Sequence, residues 1–330
     1  MLKNKAFFTI SVVATAIALT ACQPKPAEPK EPQTAQADAA TTPPASIKLV
    51  GDTEKLELAL PECEGNNCPE ISIERLSSNQ AFIDDLMDEE ILKQLDQILD
   101  VSPQLLKEQP QPATAQANAL DHQPQAVEQP ASIAMETPKQ KIEKQLAPYL
   151  ETFLALDKEL KALSANHQIS LMIKPKILNA DVPLATVVLN SSSYLGGAHG
   201  ASSQRYYNFD LKTKKQVKLE DILAPNQKAA LQKQAHAVFK SWVIDSKLAD
   251  SAEEYEQAWK FSLSDNFYLS TQGLILQYAE YEIGPYVVGL PRLTIPYDQL
   301  QGVLKKQYLP PLEAASPSAA STAALPKVKS

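Results

Sequence analysis

Apolar residues along the chain recur with two spacings. From Phe82 to Leu99 they fall at helical intervals (Phe82, Ile83, Leu86, Met87, Leu92, Leu95 and Leu99), with Ser78 or Asn79 placed to cap the helix. A second helical stripe runs through Ile142, Leu146, Leu150, Phe153, Leu156, Leu160 and Leu163, with Pro148 placed to bend it or to start a new helix. A third follows Pro225 and carries Leu231, Ala235, Val238 and Trp242. Elsewhere the period is two. Ile169, Leu171 and Ile173 alternate with Ser170 and Met172, and Arg205 to Leu211 alternates again before a lysine-rich turn at 212–215. Further strands are predicted at Glu70 to Leu76, in the apolar run 184–189 and at Leu293 to Ile295. Phe267–Leu269 and Leu274–Tyr278 form a hairpin around Thr271-Gln272-Gly273, and Leu300, Val303 and Leu304 begin a last helix. Strands with hairpin-length connections predict an α+β fold, an antiparallel sheet with helices packed on it, preceded by a small strand–helix subdomain.

Proline marks where this pattern stops. Residues 23–46, 101–138 and 310–330 hold six, six and four of the 25 prolines, among Ala, Gln, Glu, Thr and Ser. Such segments bury too little apolar surface to offset the entropy of ordering. The organisation is therefore a tether over 22–46, a small subdomain over 47–100, a linker over 101–138, an α+β domain over 139–309 and a tail over 310–330. The 47–100 piece has one helical face and is expected to pack on the larger domain across the linker.

The first 21 residues read as a secretory signal. Lys3 and Lys5 precede an uncharged run, Ala6 to Ala21, too short to span a bilayer, where about 20 residues are needed. Leu19-Thr20-Ala21-Cys22 resembles the bacterial lipobox, which makes Cys22 the expected lipidation site and the membrane anchor. Gln23, rather than Asp, follows it, so in a diderm bacterium the expected location is the periplasmic face of the outer membrane. Removing residues 1–21 takes away two lysines and no acid, moving the formal charge from −8 to −10. That charge disfavours nucleic acid and attracts basic proteins. Cys63 and Cys68 flank a turn-forming Glu-Gly-Asn-Asn and are expected to form a disulfide in an oxidising compartment, worth about 2 kcal/mol for so short a loop.

Four landmarks occur in order: Tyr194-Leu195-Gly196-Gly197-Ala198-His199-Gly200; Tyr207-Asn208-Phe209-Asp210-Leu211 with Leu219-Glu220-Asp221-Ile222-Leu223; Asn266-Phe267-Tyr268-Leu269 with Gly273-Leu274; and Tyr281-Glu282-Ile283-Gly284-Pro285-Tyr286, closed by Leu293-Thr294-Ile295-Pro296-Tyr297. Over residues 167–304 the sequence resembles the RsiV-type extracytoplasmic domain, also found beside the catalytic domain of PdaC-type peptidoglycan deacetylases. Residues 60–100 are similar to the smaller domain that usually precedes it. The resemblance implies a sensing or binding role. RsiV-type anti-sigma factors bind lysozyme through this domain and signal through a membrane helix to a cytosolic sigma-binding segment. Neither the helix nor that segment is found here, nor is the His/Asp cluster of the deacetylase metal domain.

Candidate chemistry centres on His199. Three of nine glycines, Gly196, Gly197 and Gly200, surround it. A catalytic reading would use Ser191 to Ser193 as nucleophiles, His199 as base and Asp210 as orienter, but there is no nucleophile elbow. No HxH or HxxxH pair supports a metal, and the two cysteines lack zinc partners. Two other readings remain: an imidazole hydrogen-bonded to backbone that locks a hairpin or bulge, and a residue of a partner-binding surface. Ten of eleven tyrosines lie at or beyond Tyr194, and Tyr278, Glu280, Tyr281, Glu282 and Tyr286 fall within nine residues. Tyrosines among acids suit a basic protein ligand. The expectation is a non-catalytic envelope lipoprotein, without cofactor or metal, binding a protein such as a lysozyme-type muramidase through Tyr194, His199, Tyr278, Glu280, Tyr281, Glu282 and Tyr286. Two alternatives stand beside it: a cell-wall-directed hydrolase or deacetylase, and a structural lipoprotein that holds another envelope protein.

Overall fold

The computed structural model describes residues 47–65, 67–100, 136–163 and 168–311. The signal, Cys22, the tether, nearly all of the linker, the tail from residue 312, and His122 and His167 lie outside the described residues.

A six-stranded sheet runs in the order β1 (Gly51–Lys55), β2 (Glu70–Ser78), β3 (Ser170–Asn179), β4 (Ala185–Tyr194), β5 (Ala201–Asp210) and β6 (Lys215–Val217). All neighbours are antiparallel except β2 and β3, which pair in parallel from Glu70↔Ser170 to Ile73↔Ile173. A parallel pair needs a crossover. Here it contains α1 (Ala81–Leu99), α2 (Pro138–Gln145) and α3 (Ala147–Ala162). The alternating strands turn Ile71, Ile73, Leu171, Ile173, Val187, Leu189, Tyr207 and Phe209 toward these helices, onto Ile83, Met87, Ile91, Leu95 and Phe153. The strand–helix piece of 47–100 thus shares one sheet and one core with residues 138–211. Met172 and Leu178 face the other, open side and are exposed.

Two local details differ from the sequence reading. Helix α1 starts after Gln80, without a side-chain cap bond. Ser78 is engaged instead by Asp84, whose carboxylate accepts the Ser78 backbone N–H at 2.8 Å and its hydroxyl at 2.6 Å, while Asn79 Oδ1 accepts from Val50 N. Pro138, counted with the linker, opens α2 behind a Thr137–Gln140 capping box. Of the two roles expected for Pro148, the structure shows the second: it starts α3.

A second core follows. Helices α4 (Leu219–Ile222), α5 (Lys228–Asp245) and α6 (Ala252–Ala258) accompany a separate antiparallel sheet of β7 (Phe267–Leu269), β8 (Gly273–Gln277) and β9 (Arg292–Pro296). Helix α5 buries Leu231, Ala235, Phe239 and Val243, while Val238 and Trp242 lie at the margin. The last helix expected from Leu300, Val303 and Leu304 does not form. Gly302 adopts φ +77°, which ends helical geometry, and the three apolar residues reach the core from turns, with Leu304 bridging to Leu223. Apart from Leu184, which joins the second core from the β3–β4 connection, the boundary between cores therefore lies between Leu211 and Val217, inside the segment the sequence treats as one domain.

Cys63 and Cys68 are disulfide-bonded, their Cα atoms 5.8 Å apart, in the β1–β2 connection. The same connection is fastened by Leu58, packed on the first core, and by Glu57 N donating to Glu143 Oε1 at 2.8 Å.

Buried tyrosines tie elements together. Tyr149 of α3 donates to Asp96 Oδ1 and Tyr207 of β5 donates to Glu90 Oε2, both at 2.8 Å, so two phenols hold α1 in place; Tyr278 donates to the Ser262 carbonyl at 2.9 Å. Burial pushes all three hydroxyls well above the ordinary tyrosine range, and the neighbouring carboxylates add to this for Tyr149 and Tyr207. Below about pH 10 they are protonated in both the folded and unfolded states, and their contribution is fully present. Above that the unfolded chain ionises first, so stability is lost as pH rises toward the folded-state values. Alkaline titration should show tyrosinate absorbance from these three rings appearing together with loss of far-ultraviolet dichroism. Their ionisation in a chain that stays folded would contradict this account.

Candidate ligand-binding surface

The β4–β5 hairpin closes through residues 195–200. Gly196 has φ +85°, and a Cβ there would lie 2.8 Å from Leu160 Cδ1 of α3. Gly200 lets the chain close on itself, since a Cβ would meet the Ser193 carbonyl at 3.0 Å. Gly197 faces open space, its nearest neighbour at 3.9 Å. The backbone demand behind the glycine cluster is thus concentrated at Gly196 and Gly200. Leu195 packs on the first core beside them.

Opposite the hairpin stands the loop from Tyr278 to Pro291. Glu280 Oε1 accepts from Ser202 N at 3.1 Å, Glu282 Oε2 accepts from Ala279 N at 2.8 Å, and Tyr255 Oη donates to the Ile283 carbonyl at 3.1 Å. Gly284 lies under Tyr255, Val288 and Trp242, where no side chain would fit. Tyr286 begins a 3₁₀ turn, Tyr286–Val288. Its ring stacks on His199 at 4.7 Å and 20°, and its hydroxyl donates to the Gly200 carbonyl at 3.1 Å. Tyr281 lies 5.7 Å from Tyr286, is 54% exposed, and holds φ +63°, a left-handed conformation uncommon for a bulky residue.

Of the seven residues expected to bind ligand, five meet here: His199, Glu280, Tyr281, Glu282 and Tyr286. Tyr278 does not. It is fully buried in the second core at the end of β8, so as a ligand contact it is corrected to a core residue. Tyr194 ends β4 opposite Ser170 and is half-buried. Sequence reasoning missed Val287, 86% exposed beside Tyr286. Its exposure follows from the 3₁₀ turn, and the Gly-Pro before it was the available signal. His199 makes a ring stack rather than the expected hydrogen bond to backbone; that bond comes from Tyr286.

The hypothetical serine–histidine–aspartate set is not brought together. Ser191 is buried and shares a 2.8 Å hydrogen bond with Ser203. Asp210 closes the turn after β5 by accepting from Lys212 N and Thr213 N, at the opposite end of the strand from His199, about 30 Å away at ~3.3 Å per residue. Among the described residues no group of three or more His, Cys, Asp or Glu is placed to hold a metal ion, and no helix is long and apolar enough to cross a membrane.

Residues 220–298 match the family described as "Protein of unknown function (DUF3298)", so the chain carries a DUF3298 domain there. The match covers most of the second core and the Tyr278–Pro291 loop; the glycine-rich hairpin lies outside it. The structure is similar to the crystal structure of a DUF3298 family protein from Pseudomonas aeruginosa PAO1, with a TM-score of 0.52 and 24% identity over 80% of this chain and 95% of that one. A DUF3298 family member from Bacteroides fragilis NCTC 9343 gives a TM-score of 0.49 and 18% identity over 79% and 95%. The first likeness shows a shared fold. Among curated proteins, none matches the sequence.

The hairpin geometry separates two adjacent glycines. Gly196→Ala meets both a left-handed φ and Leu160 and should destabilise by about 1–3 kcal/mol. Gly197→Ala should change stability by less than about 0.5 kcal/mol. Urea unfolding of the two variants measures the difference, and equal effects would contradict the assignment.

Proposed function

We propose that this chain is a non-catalytic, RsiV-like envelope lipoprotein, anchored through lipid on Cys22 at the periplasmic face of the outer membrane, that binds a basic protein ligand of the lysozyme-type muramidase class. The observation that carries the reading is the surface made by exposed His199, Tyr281 and Val287 around half-buried Tyr286, flanked by Glu280 and Glu282. Tyrosine supplies large contact area at low rotamer cost, and aromatic anchors dominate binding energy at interfaces. The loop is already held by four hydrogen bonds, so little ordering entropy opposes binding. The acidic balance of the chain steers a basic partner toward it, an effect that weakens with salt. A binder of this kind, seated over a muramidase cleft, would protect the wall.

Calorimetric titration of the full chain with lysozyme tests this at two salt concentrations. The expected result is saturable binding at low salt that weakens at high salt, with Tyr286→Ala lowering affinity about 30-fold, as expected for an interface anchor worth about 2 kcal/mol. No heat at low salt removes the muramidase as ligand.

A further inference from the structure

The open face of β5 carries a second group of side chains beyond Ser202. Arg292, at the start of β9, donates from Nε to Gln277 Oε1 at 2.7 Å, and from Nη2 to Gln204 Oε1 and to Tyr206 Oη. Gln277 is itself buried and fixed, donating to the carbonyls of Tyr278 and Pro291 at 3.0 and 3.1 Å. The guanidinium is therefore held rigidly by neutral oxygens. Its Nη1 makes no hydrogen bond, and no carboxylate lies within ion-pairing distance of it, among the described residues. Arg75 makes the contrast: it is buried against Asp88 and Glu54. Neutral acceptors orient a guanidinium without cancelling its charge, and an oriented planar fork is the group that best recognises a carboxylate. In a chain with net charge −8, this exposed cation stands without an acid of its own among the described residues.

Beside it, Tyr206 and Tyr268 stack at 4.4 Å and 24°, both half-buried. Gln204 Nε2 donates to Asn190 Oδ1 at 3.0 Å, so two amides continue the surface across β4. An aromatic pair, two amides and an unpaired guanidinium thus adjoin on one rigid face. Aromatic rings present an apolar face suited to the C–H side of a pyranose, while amides exchange hydrogen bonds with hydroxyl and acetamido groups. We propose that this face binds a saccharide that carries a carboxylate, its ring against the tyrosine pair, its polar substituents on Asn190 and Gln204, and its carboxylate on Arg292. A neutral sugar would leave the guanidinium unused, and an acidic peptide would leave the tyrosine pair and amides without their matching groups. The site lies about 20 Å along β5 from the His199–Tyr286 stack, at ~3.3 Å per residue, and does not depend on the protein-ligand reading.

Titration calorimetry of the full chain tests the proposal with five probes: an N-acetylglucosaminyl–N-acetylmuramic acid disaccharide, the same disaccharide with its carboxylate converted to an amide, a hexuronic acid disaccharide, neutral chitobiose, and a tetraglutamate peptide. At least one acidic disaccharide should bind ten-fold or more tightly than the amide and chitobiose, and which of the two does so identifies the source of the carboxylate. Arg292→Gln should abolish that difference, while Tyr268→Leu should weaken all binding. Since Arg292 also braces Gln277, its variant is read only where its melting temperature is unchanged; otherwise the acid-against-amide comparison on the native chain decides. The proposal is overturned when neither acidic disaccharide binds more tightly than the amide and chitobiose, when the acidic peptide binds as well as the sugars, or when no saccharide binds at all.

Discussion

The mutual position of the two cores rests on buried amide groups along β5. Asn208 is almost fully buried, and its side chain is engaged by partners from both sheets: Nδ2 donates to the Phe267 carbonyl at 2.8 Å, and Oδ1 accepts from Thr186 Oγ1 at 2.9 Å. Asn266 repeats the device from the other side, accepting from Tyr206 N at 2.8 Å and donating to the Gln204 carbonyl at 2.7 Å. An unpaired buried amide costs several kcal/mol, so only the docking that satisfies all these groups is tolerated. Apolar packing alone would let the small sheet slide along β5; directional bonds to backbone fix it in one register. That register sets Gly200, Ser202, Gln204 and Tyr206 against Tyr286, Glu280, Arg292 and Tyr268 in turn.

Much of this was legible in the sequence because period is a local property. The Ile169–Ile173 alternation, the 267–278 hairpin and the α1 stripe each follow from the spacing of apolar residues over stretches no longer than 18 positions. What was not legible depends on distant partners. Nothing within Glu70 to Ile73 signals that it pairs in parallel with a strand a hundred residues later. The division into two cores was hidden for a similar reason: Leu211 and Val217 are both buried apolar residues, and only three-dimensional packing assigns them to different clusters. The Leu300–Leu304 spacing is helical, yet Gly302 uses its freedom in backbone angle to place those residues by turns.

The candidate surface was legible by composition and not by orientation. Tyrosines and glutamates clustered around Tyr281 pointed to the loop that carries the candidate surface. Which of them face solvent depends on β8, whose five residues are all buried, so alternation there gives no inside–outside cue. Tyr278 continues that strand inward, while Val287, unremarkable in sequence, is pushed out by the 3₁₀ turn. His199 and Tyr286 are 87 positions apart, and only the docking of the two sheets stacks them.

The strain at Tyr281 bears on how this surface works. A bulky residue at positive φ costs about 1–3 kcal/mol, and persists only where surroundings over-determine it. Here they do: Glu280 is fastened to Ser202, Glu282 to Ala279, Ile283 to Tyr255 and Tyr286 to Gly200. Three of those four bonds are made by side chains that sequence reasoning placed in the binding surface. Beside the contact role proposed for them, the acids and Tyr286 therefore hold the loop in the shape that turns Tyr281 and Val287 outward. In this arrangement contact and support are not separable residue by residue. Removing Glu280 would release the hairpin side of the loop as well as a negative charge, whereas Val287, which braces nothing, reports on contact alone.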